Sequence, residues 1–263
     1  SDLPYIPVEI AVPSEEFRVL INKTAPDQEF FEFYGMSIER PENTGLIYHS
    51  VGVGASRFRG ILYSELFADH LKVLEPDMVI LDFGTNDYLY NDKIAPELED
   101  QIVEIIRKVR ESAPKTAILL TSTQDLYYRR RNIRSGTDFT KLIRRLAEEH
   151  DCLFYDWFWI AGGRATLKQW RDKSFAQRDL IHLNLHGYRL KGQMLADAII
   201  HTMEWMQVNE DATCYTLDTW ALEQDQEERM KKLYQGDAVP APSGDYLVYK
   251  IRSGDTLGHI AQR

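Results

Sequence analysis

The chain has 263 residues, with 31 Lys plus Arg against 41 Asp plus Glu, a formal net charge of −10 and a pI near 5.2. Hydrophobic residues at 44% and aromatics at 11% exclude a disordered chain and supply a real core, and the acidic balance argues against a nucleic-acid partner. No apolar run reaches the roughly 18 residues of a membrane span. The opening SDLPYIPVEIAV has the form of neither a Met start nor a signal peptide, so a piece of a longer protein is expected.

Residues 1–45 read as short strands. Apolar residues alternate in Ile6-Val8-Ile10-Val12 and recur in FRVLINK and FFEFYGMSIE, with Pro13, Pro26 and Pro41 as breaks. Strand and helix alternate from Tyr48 onward. Met78 to Phe83 and Thr116 to Ser122 are continuous apolar runs of the kind buried on both faces of a parallel sheet, and CLFYDW from Cys152 is a third. A helix between the first two starts at Pro96, with Leu98, Ile102, Ile105, Ile106 and Val109 on one face. Another follows Asp138 as N-cap, with Phe139, Leu142, Ile143 and Leu146 inward, and a third runs from about Gly187 to Met206. This order predicts an α/β layer fold around a parallel sheet. An acidic helix over LEQDQEERMKKLY and the linker GDAVPAPSGD follow, with a domain boundary near Gly236.

Functional groups of an open parallel sheet gather at the carboxyl ends of its strands. Directly after MVILDF stand Gly84-Thr85-Asn86-Asp87. Glycine permits a tight exit from the strand, and Asn86 has a side-chain amide suited to an oxyanion. An Asx turn with Asp87 as a cap explains the same four residues. The second place is Asp179-Leu180-Ile181-His182, where an aspartate three residues before a histidine bends back to bind Nδ1 and leaves Nε2 as a general base. A surface histidine beside an unrelated loop aspartate is the plainer alternative. HLNLH over His182 and His186 lacks the Glu of H-E-x-x-H, and no metal site is predicted. Cys152 and Cys214 have no CxxC spacing and predict neither a metal site nor a disulfide framework. The basic run Tyr127 to Arg134 reads as solvated surface or as a steering patch for an anion. At least half of the aromatic cluster Phe154, Tyr155, Trp157, Phe158 and Trp159 is assigned to core packing.

Taken together, GTND after an early buried strand and DLIHLNLHGY before the last helix resemble the SGNH (GDSL) hydrolase superfamily. The resemblance covers about Tyr48 to Met206 and implies a three-layer, flavodoxin-like α/β sandwich. It implies that Asn86 is an oxyanion donor and that Asp179 and His182 are the acid and base of a triad. TGLIYHSVGVGASRF resembles the family's second block, which makes the backbone N–H of Gly54, or of Ala55 one register later, a further donor. The Gly-Gly segment, Trp170 and A-Q-x-D before the DxxH resemble carbohydrate and peptidoglycan O-acetylesterases. Residues 1–45 are then the tail of a β-sandwich-like insert, residues 46–206 the hydrolase domain without its first block, and residues 207–245 an acidic helix and linker.

The family's nucleophilic serine belongs to a GDS motif, and the chain contains neither GDS nor a G-x-S-x-G elbow. Ser50 and Ser56 lie near the second block on no recognisable elbow. Residues 246–263, from Tyr249 through Gly254, Asp255, Thr256 and Leu257 to Ala261, resemble the opening of a LysM module, a family that binds N-acetylglucosamine glycans. The resemblances imply a serine esterase that removes O-acetyl groups from a carbohydrate or from peptidoglycan, in an extracytoplasmic setting and without cofactor or metal, seen here without its serine. The alternative is a noncatalytic glycan-binding envelope protein on the same scaffold.

Overall fold

The computed structural model describes residues 5–10, 16, 18–39 and 45–209. They fall into two units that part between Val53 and Gly54. In the first, none of the described residues lies in a helix or strand, and a turn near residues 25–27 is closed by the Gln28 N–H donating to the Ala25 carbonyl. The short strands expected there are absent from the described residues. Alternation records which face of a strand would be buried, but a ladder also needs a partner for its N–H and C=O groups. Residues 207–209 continue or end the last helix. The expected linker beyond residue 209, the LysM residues Gly254, Asp255, Thr256 and Leu257, and Cys214 lie outside the described residues.

The second unit is the α/β fold. In chain order it contains α1 (Phe58–Leu62), α2 (Phe67–Leu74), β1 (Met78–Leu81), α3 (Thr85–Tyr88), α4 (Leu98–Ser112), β2 (Ala117–Thr121), β3 (Tyr127–Tyr128) and β4 (Arg131–Asn132). It continues with α5 (Ser135–Glu149), β5 (Leu153–Tyr155), α6 (Trp157–Ile160), α7 (Leu167–Asp172) and α8 (Leu185–Val208). Strands β1, β2 and β5 form a parallel sheet in that order, with Met78 opposite Ala117 and Leu119 opposite Leu153. β3 and β4 make a separate antiparallel hairpin.

Successive side chains of a strand point to opposite faces, and the sheet separates two cores accordingly. Val79, Leu81, Ile118 and Leu120 enter one core with residues of α1, α4 and α5. Met78, Ile80, Leu119 and Tyr155 enter the other with Trp157, Leu167, Leu183 and the Met194, Leu195, Ala198 and Ile199 side of α8. Helix, sheet and helix therefore make three layers. The predicted apolar face of α4 is buried throughout, and Tyr155, Trp157, Phe158 and Trp159 are core residues.

Three helix starts differ from expectation. α4 begins at Leu98, two residues after Pro96. α5 begins at Ser135 with Asp138 inside its first turn. Its cap comes from Asp92, whose Oδ1 accepts the N–H groups of Arg134 at 2.6 Å and Ser135 at 2.8 Å. A carboxylate 42 residues upstream thus satisfies donors that a helix start leaves open. α8 begins at Leu185, two residues before Gly187, because Asn184 caps it by accepting the Gly187 N–H at 3.0 Å.

Between α5 and the end of β5, Arg144 Nη2 binds Asp156 Oδ2 at 2.5 Å, with both side chains buried. Asp156 Oδ1 also accepts from Ser122 Oγ and from the Trp159 N–H at the start of α6. Removing one partner of such a pair strands the other charge in a poorly polarisable interior. Arg144→Ala is expected to cost about 3 to 5 kcal/mol of stability in urea unfolding; a loss under about 1 kcal/mol would show that Asp156 is solvated in the folded chain.

Candidate active site

β1 ends at Leu81, and the chain leaves the sheet through Asp82, Phe83 and Gly84. Gly84 has φ +120°, and a Cβ placed on it would lie 2.3 Å from Phe139 Cζ. The exit therefore requires glycine on two counts, backbone conformation and the ring packed against it. Asn86 follows in the single turn of α3, and its Nδ2 donates to the Ser56 carbonyl at 3.0 Å. Because an amide nitrogen carries two hydrogens, one remains for a further acceptor.

Asp87 returns the contact. Its Oδ1 accepts the Phe58 N–H at 3.3 Å, so GTND and the 54–58 segment are joined by a side-chain donor in one direction and a side-chain acceptor in the other. Among the described residues the buried Asp87 Oδ2 has no hydrogen-bond partner. Burial pushes its carboxyl up to about 6, against the opposing effects of the Phe58 N–H and of Arg57 and Arg59. In the same segment Gly54 is exposed and Ala55 adopts a left-handed φ of 60°.

Asp179 and His182 meet as the spacing predicts. His182 Nδ1 lies 2.7 Å from Asp179 Oδ2. Asp179 Oδ1 accepts the N–H groups of Ile181 at 2.9 Å and His182 at 3.1 Å. Partial burial works against ionisation of Asp179, but the His182 side chain and these two N–H donors prevail and hold it below the ordinary carboxylate range. With Nδ1 engaged by the carboxylate, the proton is placed on Nδ1 and the exposed Nε2 is left as the acceptor. Among the described residues no hydroxyl is hydrogen-bonded to Nε2.

The backbone of this loop is held from several sides. Leu180 is buried and takes a left-handed φ of 57°. Its carbonyl accepts the Tyr127 N–H, and the His182 carbonyl accepts the Gln177 N–H at 2.8 Å. Asn184 Nδ2 donates to the Ser174 carbonyl at 2.7 Å, while Gly187 lies so close to the Phe175 carbonyl that a Cβ would come within 2.0 Å of it. That approach explains the glycine of the HGY motif.

The GTND turn and the Asp–His loop are connected by two routes that the motifs do not contain. Ser122, Thr123, Gln124 and Asp125 are four consecutive buried polar residues after β2. Thr123 Oγ1 is hydrogen-bonded to the Tyr88 hydroxyl at the end of α3, and Gln124 Nε2 donates to the Ile181 carbonyl at 2.9 Å. In the second route Lys191 of α8 binds Asp82 at 2.7 and 3.0 Å, and Asp82 also accepts from Thr121 Oγ1. The sequence signal for these residues was weak: TSTQD shows as polar residues after an apolar strand, and Asp82 and Lys191 are 109 positions apart.

Residues 42–190 match the model of the GDSL-like Lipase/Acylhydrolase family. The chain belongs to that family. No curated protein matches the sequence. Among solved structures, this GDSL-family chain resembles a peptidoglycan O-acetylesterase with a TM-score of 0.53 and 23% identity over 57% of its residues. The alignment covers 45% of that enzyme, so the chain spans less than half of its length. An acetyl xylan esterase aligns with a TM-score of 0.45 and 21% identity over 56% of this chain and 78% of its own. A lipase/acylhydrolase from Enterococcus faecalis aligns at 0.41 and 16% over 52% and 67%. At 23% identity the likeness to the peptidoglycan O-acetylesterase concerns the fold alone.

The raised carboxyl of Asp87 has a definite sign in folding. An unfolded aspartate releases its proton near pH 4, whereas the folded chain retains it to about pH 6. Stability therefore falls as pH rises through that window, and the cost is fully present above it. Asp87→Asn keeps an acceptor for Phe58 and is expected to gain on the order of 1 to 2 kcal/mol at pH 8 and nothing at pH 4. Urea unfolding at both pH values checks this, and an equal effect at the two would contradict it.

Proposed function

We propose that the chain carries the general base, its orienting carboxylate and the oxyanion donors of a serine O-acetylesterase acting on a carbohydrate or cell-wall glycan. The nucleophile would be a serine outside these 263 residues, and the protein would work in an extracytoplasmic compartment. The observation that carries this reading is the 2.7 Å Asp179–His182 pair, linked through Gln124, Thr123 and Tyr88 to the turn that bears Asn86. A carboxylate on Nδ1 with an open Nε2 is the arrangement a hydroxyl nucleophile needs.

In the complete enzyme the serine hydroxyl would attack the ester carbonyl as His182 Nε2 takes its proton. His182 would return that proton to the leaving alcohol, and Asp179 would stabilise the imidazolium without becoming protonated. The free Nδ2 hydrogen of Asn86 and the N–H of Gly54 or Ala55 would hold the oxyanion, each donor lowering the barrier by roughly 3 kcal/mol. The acetylated-carbohydrate assignment is supported by the sequence resemblance and agrees with the likeness to a peptidoglycan O-acetylesterase. A second reading, a noncatalytic glycan-binding scaffold, keeps the same fold without turnover.

The test is acetate release from an acetylated oligosaccharide by the protein with its upstream segment restored. His182→Ala is expected to lower kcat by about a thousandfold or more, and Asn86→Ala by about a hundredfold with little change in KM. Near-parental turnover in His182→Ala would refute the assignment. No acetate release from the restored protein, with glycan binding intact, would favour the scaffold reading.

A further inference from the structure

The hairpin of β3 and β4 turns through Arg129 and Arg130, whose φ angles are 48° and 66°. A two-residue hairpin turn with both φ positive is a site for Asn and Gly, and each residue with a Cβ and a long side chain is disfavoured there. Turn stability therefore does not explain two consecutive arginines. Tyr127 to Arg134 holds four arginines, Arg129, Arg130, Arg131 and Arg134, and no acidic residue, in a chain of net charge −10. Local sequence that contradicts local structure is a mark of a functional position.

The hairpin borders an open surface cleft lined by Asp92, Arg131, Asn132 and Arg134. Asp92, the one acid among these four, has its Oδ1 engaged by two backbone N–H groups. Among the neighbours of these residues, Tyr90 and Tyr128 pack edge to face with ring centres 5.2 Å apart. Tyr90 is two residues from Asp92, and Tyr128 pairs across the hairpin with Arg131. Arg129 lies over the Tyr128 ring and Arg57 over the Tyr90 ring, at 5.3 and 5.9 Å. Arg57 directly follows Ser56, whose carbonyl binds Asn86. Half-exposed tyrosine and the guanidinium groups stacked on it thus adjoin the segment that holds the oxyanion donor.

We propose that this cleft is a binding site for a saccharide bearing carboxylate groups, which makes the chain selective for an acidic glycan. The inference rests on the esterase reading for taking the ligand to be a saccharide. The charge requirement comes from the hairpin itself. The guanidinium fork of Arg131 matches a carboxylate with two parallel hydrogen bonds, and Arg129 and Arg57, stacked on the tyrosine rings, add positive charge nearby.

The test is calorimetric titration of the 263-residue chain with hexagalacturonate, with an uncharged hexasaccharide and with a single-stranded hexanucleotide. Hexagalacturonate is expected to bind at least about tenfold more tightly than either and to weaken as salt is raised. The double variant Arg129→Asn/Arg130→Gly installs the residues the turn prefers, so its melting temperature should hold or rise while its affinity falls by about tenfold or more. Arg131→Glu, exposed on β4, should weaken binding similarly. Equal binding of charged and uncharged sugars, equal binding of the oligonucleotide, or unchanged affinity in a folded double variant would each overturn the site. Because binding is read without turnover, these outcomes are distinct from failure of the restored protein to release acetate.

Discussion

Four polar side chains in a row, Ser122 to Asp125, leave the end of β2 and enter the interior, where none can turn to water. Each must find a protein partner or leave a buried polar group unpaired, at a cost of about 1 to 3 kcal/mol. Each finds it in a different segment. Ser122 takes Asp156 and the Phe158 N–H, Thr123 takes Tyr88, and Gln124 takes Ile181. Asp125 takes Asn132 of the hairpin and the N–H of Leu167. One short strand exit thereby fixes the α6 start, the GTND turn, the Asp–His loop and the arginine hairpin relative to one another. A network of this kind holds only if every member is satisfied, so the positions of Asn86 and His182 depend on residues that no motif contains.

Three aspartates around this network show how placement decides charge. Asp179 is partly buried, which works against its ionisation, but an imidazole and two N–H groups prevail and hold its carboxyl below the ordinary carboxylate range. Asp87 and Asp125 are buried more deeply, and for each burial outweighs its hydrogen bonds and pushes the carboxyl to about 6. Such groups are common near functional sites because the chain is ordered there around polar chemistry rather than around apolar packing. The carboxylate that orients the histidine is the one that the structure keeps at its most anionic.

The sheet was legible because its strands are apolar on both faces. MVILDF and TAILLTS need no knowledge of their neighbours to be read as buried, and the face of α4 follows from helical spacing alone. The Asp179–His182 pair was legible for a related reason, since a three-residue separation closes locally. Long-range contacts were not. Asp92 caps α5 across 42 residues and displaces the expected cap at Asp138, and Lys191 reaches Asp82 across 109. The alternation in Ile6-Val8-Ile10 predicted strands that the described residues lack, because spacing alone does not supply a hydrogen-bonding partner. The tension at Arg129 and Arg130 appears only when a turn geometry is known.

Leu180 joins two opposing demands at the centre of the Asp–His loop. Its left-handed backbone stores about 1 to 2 kcal/mol of strain, while its side chain is withdrawn almost completely into the core beneath. Unwinding the loop would release the first but wet the second, at about 1.5 to 3 kcal/mol. The leucine thus acts as a latch whose spring is weaker than its catch. The imidazole can stand half in solvent, open to whatever approaches, while the hinge that carries it stays shut.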